Sequence, residues 1–510
     1  MSDIVIAGLS TSDPLPGVYL DLQFAQGNAA GSSSLREILI LANKISTGTA
    51  VESTMIYGPD SDDPLQTEDN AKTLFGEGSE AHVMWKAANS ANKDTVIRVL
   101  AVPEGGGAVK ATGTITYTTN ATGAGYTRVW VADEYVDVPF LSGDTVTTIA
   151  AAVVSAINAK PHWQVTATNL VGVVTITARN GGVRGNFIRY MARIFGTNGV
   201  SPGTTVTPIT DSACTGGSVA DDATAALATL ATGKFYYIVS ALGASAQITS
   251  LMAVVNAQAV PSIGIRQRAF FGSTDTSGNA ITLGTTANAT RAEIIHQQEG
   301  PIGPSRLAAL AAACYAYEEL TLSKRTNYAG YGNDEDSSKR WVCPPARTVS
   351  VRPTKTVQKL LLNGGITPVA ANGNSSTYIV NRVTTRTLNG AIPDYRISRA
   401  HKVSICDFFS DDLTVKGALQ GAAKRIGDDL LPGERAVGHE NLFTPSDGKA
   451  LVFSLIDDYA DNTLVPNRAA VKEQTRVQRN SVDRTRMDFY IPLQTADNLE
   501  KLGFAVAQVA

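Results

Sequence analysis

Glu37-Ile38-Leu39-Ile40-Leu41-Ala42 is apolar at every position after its first residue, and Gly48 follows soon after. A run this brief, with no polar alternation, reads as a strand buried on both faces, as in parallel sheets covered by helices. The flanking sequence repeats the unit. Thr67-Glu68-Asp69 caps a helix that ends at Gly76, and Ser79-Glu80 opens a second helix carrying Met84 and Trp85. Residues 94–100 form the next strand, which completes a βαβ-type unit. Farther along, a strand at 234–240 precedes a helix capped by Ser245, further strands lie near 268–271 and 291–296, and Pro304-Ser305 opens a helix over 306–322. The alternation predicts an α/β fold: a mostly parallel sheet core with helices on both faces.

Between 103 and 217 the composition shifts to Thr, Gly and Val. Short strands at 113–117, 127–131 and 173–178 surround one helix at 146–158, and Gly105-Gly106-Gly107 and Gly216-Gly217 read as hinges. This is an inserted small α+β domain. Beyond the core come a polar loop at 327–338, a helix at 354–362 stopped by Asn363-Gly364-Gly365, and a long strand at 376–387 with Asn389-Gly390 as a turn. Helices are expected at 399–409, 413–430 and 449–457. The chain therefore divides into an N-terminal arm and first strand (1–24), a core in two parts (25–102 and 218–345), the Thr-rich insert (103–217), a C-terminal domain (346–486) and a C-terminal strand arm (487–510).

Both ends are strand-forming. After Pro16-Gly17, Val18, Leu20 and Leu22 alternate with polar or amphipathic neighbours, and near the other end Met487, Phe489 and Ile491 do the same before Pro492 stops the ladder. A second strand, with Phe504 and Val506, spans 503–509. Such arms must find a sheet edge, either on their own domain as an ordinary last hairpin or on another molecule.

Lys and Arg number 43 and Asp and Glu 46, a formal balance of −3, so no general affinity for nucleic acid or an anionic membrane is implied. Met1-Ser2-Asp3-Ile4 lacks the basic start of a signal peptide, and the longest apolar stretch, 307–317, is shorter than the about 20 residues that span a bilayer. The expectation is a protein made soluble in a cytoplasm, without membrane insertion. Cys214, Cys314, Cys343 and Cys406 are far apart and form no C-x-x-C pair, as expected for reduced, mostly buried thiols.

No stretch carries recognisable chemistry. His82, His162, His296, His401 and His439 are scattered outside any metal-ligand spacing, and there is neither a nucleophile elbow nor a phosphate loop. Gly76-Glu77-Gly78 is a G-x-G before a helix cap, read as a tight inter-helix turn rather than a phosphate cradle. Asp411-Asp412, Asp428-Asp429 and Asp457-Asp458 are adjacent carboxylates, which diverge on a helix and read as caps or solvated surface. Lys416, Lys424 and Arg425 line one side of the expected 413–430 helix, as a solvated face or a docking surface. No catalytic residue, cofactor or metal is expected. A large α/β chain with strand arms at both ends and no site points to an assembly. The alternative is a hydrolase or nucleotide-binding enzyme on the doubly wound core, against which the missing phosphate loop counts.

In the order and spacing of its blocks the chain resembles the contractile tail sheath proteins of bacteriophages, in particular the Mu-like branch. The blocks are Pro16-Gly17-Val18-Tyr19, Leu74-Phe75-Gly76-Glu77-Gly78-Ser79, the Thr-rich insert, Leu361-Leu362-Asn363-Gly364-Gly365-Ile366-Thr367, Arg382-Val383-Thr384-Thr385, Val437-Gly438-His439-Glu440-Asn441 and the 484–491 strand. The loop at 327–338 has no counterpart in that family. The resemblance implies hexameric rings stacked helically around an inner tail tube, baseplate and tail-terminator partners, and a virion tail assembled in the host bacterial cytoplasm. It also implies strand arms that pair between subunits, an inner sheath domain at 346–486, and a tube-docking role for the helix with Lys416, Lys424 and Arg425. A sheath of a related contractile injection machine is the neighbouring reading.

Overall fold

The computed structural model describes residues 37–59, 65–197, 201–320, 327–394, 399–421, 424–429 and 441–496. The expected arm strands with Val18, Leu20 and Leu22, and with Phe504 and Val506, lie outside the described residues.

The opening run forms the strand Ile38–Ala42, every residue buried. It lies in an eight-stranded sheet whose order is Ser376–Ile379, Thr367–Asn372, Ala292–His296, Arg268–Ser273, Tyr237–Ser240, Ile38–Ala42, Ile97–Ala101, Ile56–Tyr57. The six central strands are parallel, and each edge is closed by an antiparallel partner. The absence of alternation now has its cause. Ile38, Ile40 and Ala42 face one core, with the helices Glu80–Ala91 and Gly303–Leu320, while Leu39 and Leu41 face another, with Ser245–Gln258 on the opposite side. The order reverses between Ile38–Ala42 and Tyr237–Ser240, because the first crossover runs to one side and all later strands add to the other.

Local signals behave as expected around this sheet. Thr67 and Ser79 cap their helices through Asn70 and His82 N–H groups, and Gly76 and Gly78 turn between them at positive φ. From Thr112 to Ala213 the chain builds two four-stranded sheets around the helix Val146–Asn158, with its own apolar core including Ile115, Val129, Val153 and Ile176. The helices Ala400–Gly421, Pro445–Asp461 and Arg468–Gln474 form a fourth core around Phe409, Val452, Leu455 and Ile456.

Several expectations are corrected. The helices placed at 399–409 and 413–430 are one helix, Ala400–Gly421, followed by a short strand, Arg425–Ile426, parallel to Leu442–Phe443. The break expected at Ser410-Asp411-Asp412 does not occur because Ser410 Oγ returns to the Cys406 carbonyl, and Asp411 and Asp412 are engaged by Arg266 and Tyr459. The strand expected over 376–387 ends at Ile379, since the chain then turns so that Arg382 enters the core. The loop at 327–338 is polar by composition, yet Tyr328 and Tyr331 are fully buried against Tyr315.

Of the glycines bordering the insert, Gly105 and Gly217 are closely packed, whereas a side chain on Gly106, Gly107 or Gly216 would meet nothing within 4 Å. A side chain on Gly105 would stand 2.1 Å from the Ala220 carbonyl oxygen, and one on Gly217 2.5 Å from that of Gly182. A bridge between Val109 and Ser218 ties the two crossings together.

Candidate functional site

The described residues hold no group of His, Cys, Asp or Glu arranged for a metal, and no described helix is long and apolar enough to cross a membrane. The concentrated chemistry is instead two sets of ion pairs that join parts of the molecule.

The first set is buried. Arg268 starts its strand, Glu293 sits inside Ala292–His296, Glu319 lies in the last turn of Gly303–Leu320, and Arg382 follows the strand Ser376–Ile379. Arg382 forks onto Glu293 at 2.8 and 2.9 Å and also reaches Glu319. Arg268 bonds Glu293 and Ser404, and the Ser404 hydroxyl donates to Glu319 at 2.7 Å. The Arg382 guanidinium lies 4.0 Å from the Tyr315 ring centroid. Burial alone would raise the Glu319 pKa, but Arg382 and Arg268 beside it bring it down to about 2. Two cations and two carboxylates thus neutralise each other in a buried site. Such a cluster adds little net stability over apolar packing, but a one-residue slip of any member would leave a buried charge unpaired. The cluster reaches the helix Ala400–Gly421 through Ser404, and a separate buried pair, Arg291 with Asp407 at 2.7 and 2.8 Å, ties the same helix to the sheet.

The second set clamps the 112–213 unit onto the carboxyl end of the sheet. Arg306 pairs with Asp133 at 2.7 Å, Arg189 with Glu299 at 2.8 Å, Arg347 with Asp211 at 2.7 Å, and Arg184 with Asp221 at 3.0 Å. Asn180 donates to the Lys44 carbonyl and to Glu104, while its own carbonyl accepts from the Glu80 N–H. These contacts across the interface are polar.

The candidate docking cations do not share a helix face. Lys416 lies on Ala400–Gly421 and is paired with Asp458 at 2.6 Å, whereas Lys424 and Arg425 lie beyond the helix end and are exposed. The adjacent carboxylates serve as ion-pair partners: Asp457 holds Lys472, and Asp428 holds Arg479 and Arg484. All four cysteines are free and buried. Met487 and Phe489 belong to the strand Met487–Tyr490, which pairs antiparallel with Arg476–Arg479 of the same chain. Phe489 and Ile491 pack on the fourth core. No other strand joins this ladder among the described residues.

The sequence reading missed the buried clusters. The available signal was a charge inside an apolar run, Glu293 between Ala292 and Ile294 above all, because such a residue is rarely buried unless paired.

No family model matches the chain. Over 226 residues it is 27% identical to the Mu-like prophage FluMu tail sheath protein of Haemophilus influenzae, a match that spans 44% of this chain and 44% of that relative. Among solved structures, the sheath tail protein of Desulfitobacterium hafniense aligns over 93% of this chain and 99% of its own, at 13% identity and a TM-score of 0.43. The contracted helical sheath of the anti-feeding prophage aligns over 98% of this chain and 100% of its own, at 12% identity and a TM-score of 0.44. By sequence, then, the chain is a relative of a Mu-like prophage tail sheath protein, in keeping with the family its blocks resemble.

Proposed function

We propose that this chain is the structural, non-enzymatic subunit of a contractile tail sheath. It polymerises as stacked hexameric rings around an inner tail tube and, on a signal from the baseplate, contracts to drive the tube through the host envelope. Its partners are further copies of itself, the tube, the baseplate and a tail terminator, and it resides in the virion tail after assembly in the host bacterial cytoplasm. The observation that carries this reading is the sequence similarity to the FluMu tail sheath protein.

The architecture suits such work. A sheath must repack its subunits without deforming them, so the bodies need unyielding internal joints. The buried Arg268, Arg382, Glu293 and Glu319 cluster and the polar clamp under the 112–213 unit are joints of that kind. Stitching by strand exchange fits a two-stranded ladder: Met487–Tyr490 has an in-chain partner, but among the described residues the ladder has an outer edge to which a neighbour's strand can add. Removal of 497–510 leaves Phe489 and its core in place while deleting the strand expected at 503–509. Sedimentation of this truncation is expected to show monomers where the full chain gives polymers, and polymers of full-length size would count against stitching.

A further inference from the structure

Between the sheet and the 112–213 unit lies a cavity of about 250 Å³, at the carboxyl ends of Tyr237–Ser240 and Arg268–Ser273. This is next to the reversal in strand order, where open α/β sheets hold ligands. The turn Val183–Phe187 of the 112–213 unit forms its roof.

Three helices begin at its wall. Gly243 and Ala244 immediately precede Ser245–Gln258, Asp275 and Asn279 belong to the start of Ser277–Ala287, and Pro304 and Ser305 lie in the first turn of Gly303–Leu320. The positive dipole ends of three helices of this length favour an anion, although the start of Ser277–Ala287 is already capped by Thr276 Oγ, which accepts the Asn279 N–H at 3.3 Å. At the start of Ser245–Gln258, Ala244 offers no acceptor to the first-turn N–H groups, while Gln247 Oε1 accepts the Ala244 N–H at 3.3 Å. Arg184 supplies an independent indication. It lines the cavity, is 6% exposed, and holds Asn43 and Asp221 through its two terminal nitrogens, yet its Nε–H is buried without an acceptor. The one carboxylate in the lining, Asp275, is engaged by the Thr276 N–H and the Asn279 amide. Leu242, Leu283 and Phe187 give the remaining wall an apolar surface.

We infer that this cavity is a binding site for a small anion, a phosphoryl or carboxylate group on a compact apolar body. The anionic group faces the helix starts and Arg184, and the body lies against Leu283 and Phe187. Because the roof belongs to one unit and the floor to the other, an occupant strengthens the seating of the 112–213 unit. The inference is independent of the sheath reading, and its failure would leave that reading untouched.

The test is thermal unfolding of the full chain at constant ionic strength with millimolar butyl phosphate, inorganic phosphate or butylamine. Butyl phosphate is expected to raise Tm by about 2 °C or more, and inorganic phosphate by less. Butylamine should have no effect. Ala244→Asp, which places a carboxylate at the start of Ser245–Gln258, should fold, melt higher than the parent and lose the response to phosphate. No shift with butyl phosphate, an equal shift with butylamine, or an undiminished response in Ala244→Asp would each overturn the assignment.

Discussion

At the scale of single residues, buried titratable groups dictate how the molecule meets acid. His82 Nδ1 accepts the Gly78 N–H at 3.2 Å, so the ring is neutral, and burial holds its pKa down to about 4. Burial does the same to His296, also to about 4. Both folded values lie below the ordinary 6.5, so the unfolded chain takes up protons first. Their contribution is therefore complete above the ordinary value and is lost as pH falls toward about 4, on the order of 3 kcal/mol for each ring. Glu319 extends the decline between its ordinary 4.5 and about 2. Urea titrations should show midpoints falling steadily as pH drops from the ordinary histidine value, and the double variant His82→Gln, His296→Gln should flatten the upper part of that decline. A decline as steep in the double variant would refute this assignment. None of this was legible beforehand: the sequence shows that the histidines are scattered, while their burial depends on packing by distant segments.

At the scale of elements, most caps and apolar runs were legible and interruptions were not; the cap expected at Ser245 is corrected, since Ser245 is the first helical residue and Ala244 stands at the N-cap. Thr67, Ser79 and Thr354 each start a helix where the residue chemistry places it, because a cap is a local hydrogen bond. The false break near Asp411 shows the opposite case, where tertiary partners Arg266 and Tyr459 remove the reason for a turn. The same error placed Lys424 and Arg425 on a helix face with Lys416. Lys416 is spent on an exposed pair with Asp458, worth at most about 1 kcal/mol, and Lys424 and Arg425 remain exposed and accessible to a partner. Tube docking through these two residues remains our proposal on that footing. Lys424→Glu with Arg425→Glu should leave stability and polymers unchanged while weakening attachment to an inner tube in co-sedimentation. Unchanged attachment would remove these residues from the interface.

At the scale of the whole molecule, the α/β sheet could be read from the doubly buried run at Ile38–Ala42, because burial on both faces leaves a pattern in every residue. The seating of the 112–213 unit could not, because its partners Arg306, Glu299 and Arg347 lie far along the chain from Asp133, Arg189 and Asp211. That polar seating has a consequence. Excision of 105–216 exposes polar groups that water can solvate, and the retained crossings are already tied by the Asp222 N–H donating to the Pro103 carbonyl at 3.3 Å. The excised protein, closed by a short linker, should stay folded and assemble, as circular dichroism and sedimentation would show; wholesale aggregation would mean that the unit belongs to the core. We propose that this chain forms a sheath, on its sequence similarity to a Mu-like prophage tail sheath protein. Negative-stain electron microscopy of the concentrated full-length protein, alone and then with an inner tube added, tests it most directly. Hollow tubes or six-fold rings are the predicted result, and a uniform field of single particles in both conditions would contradict it.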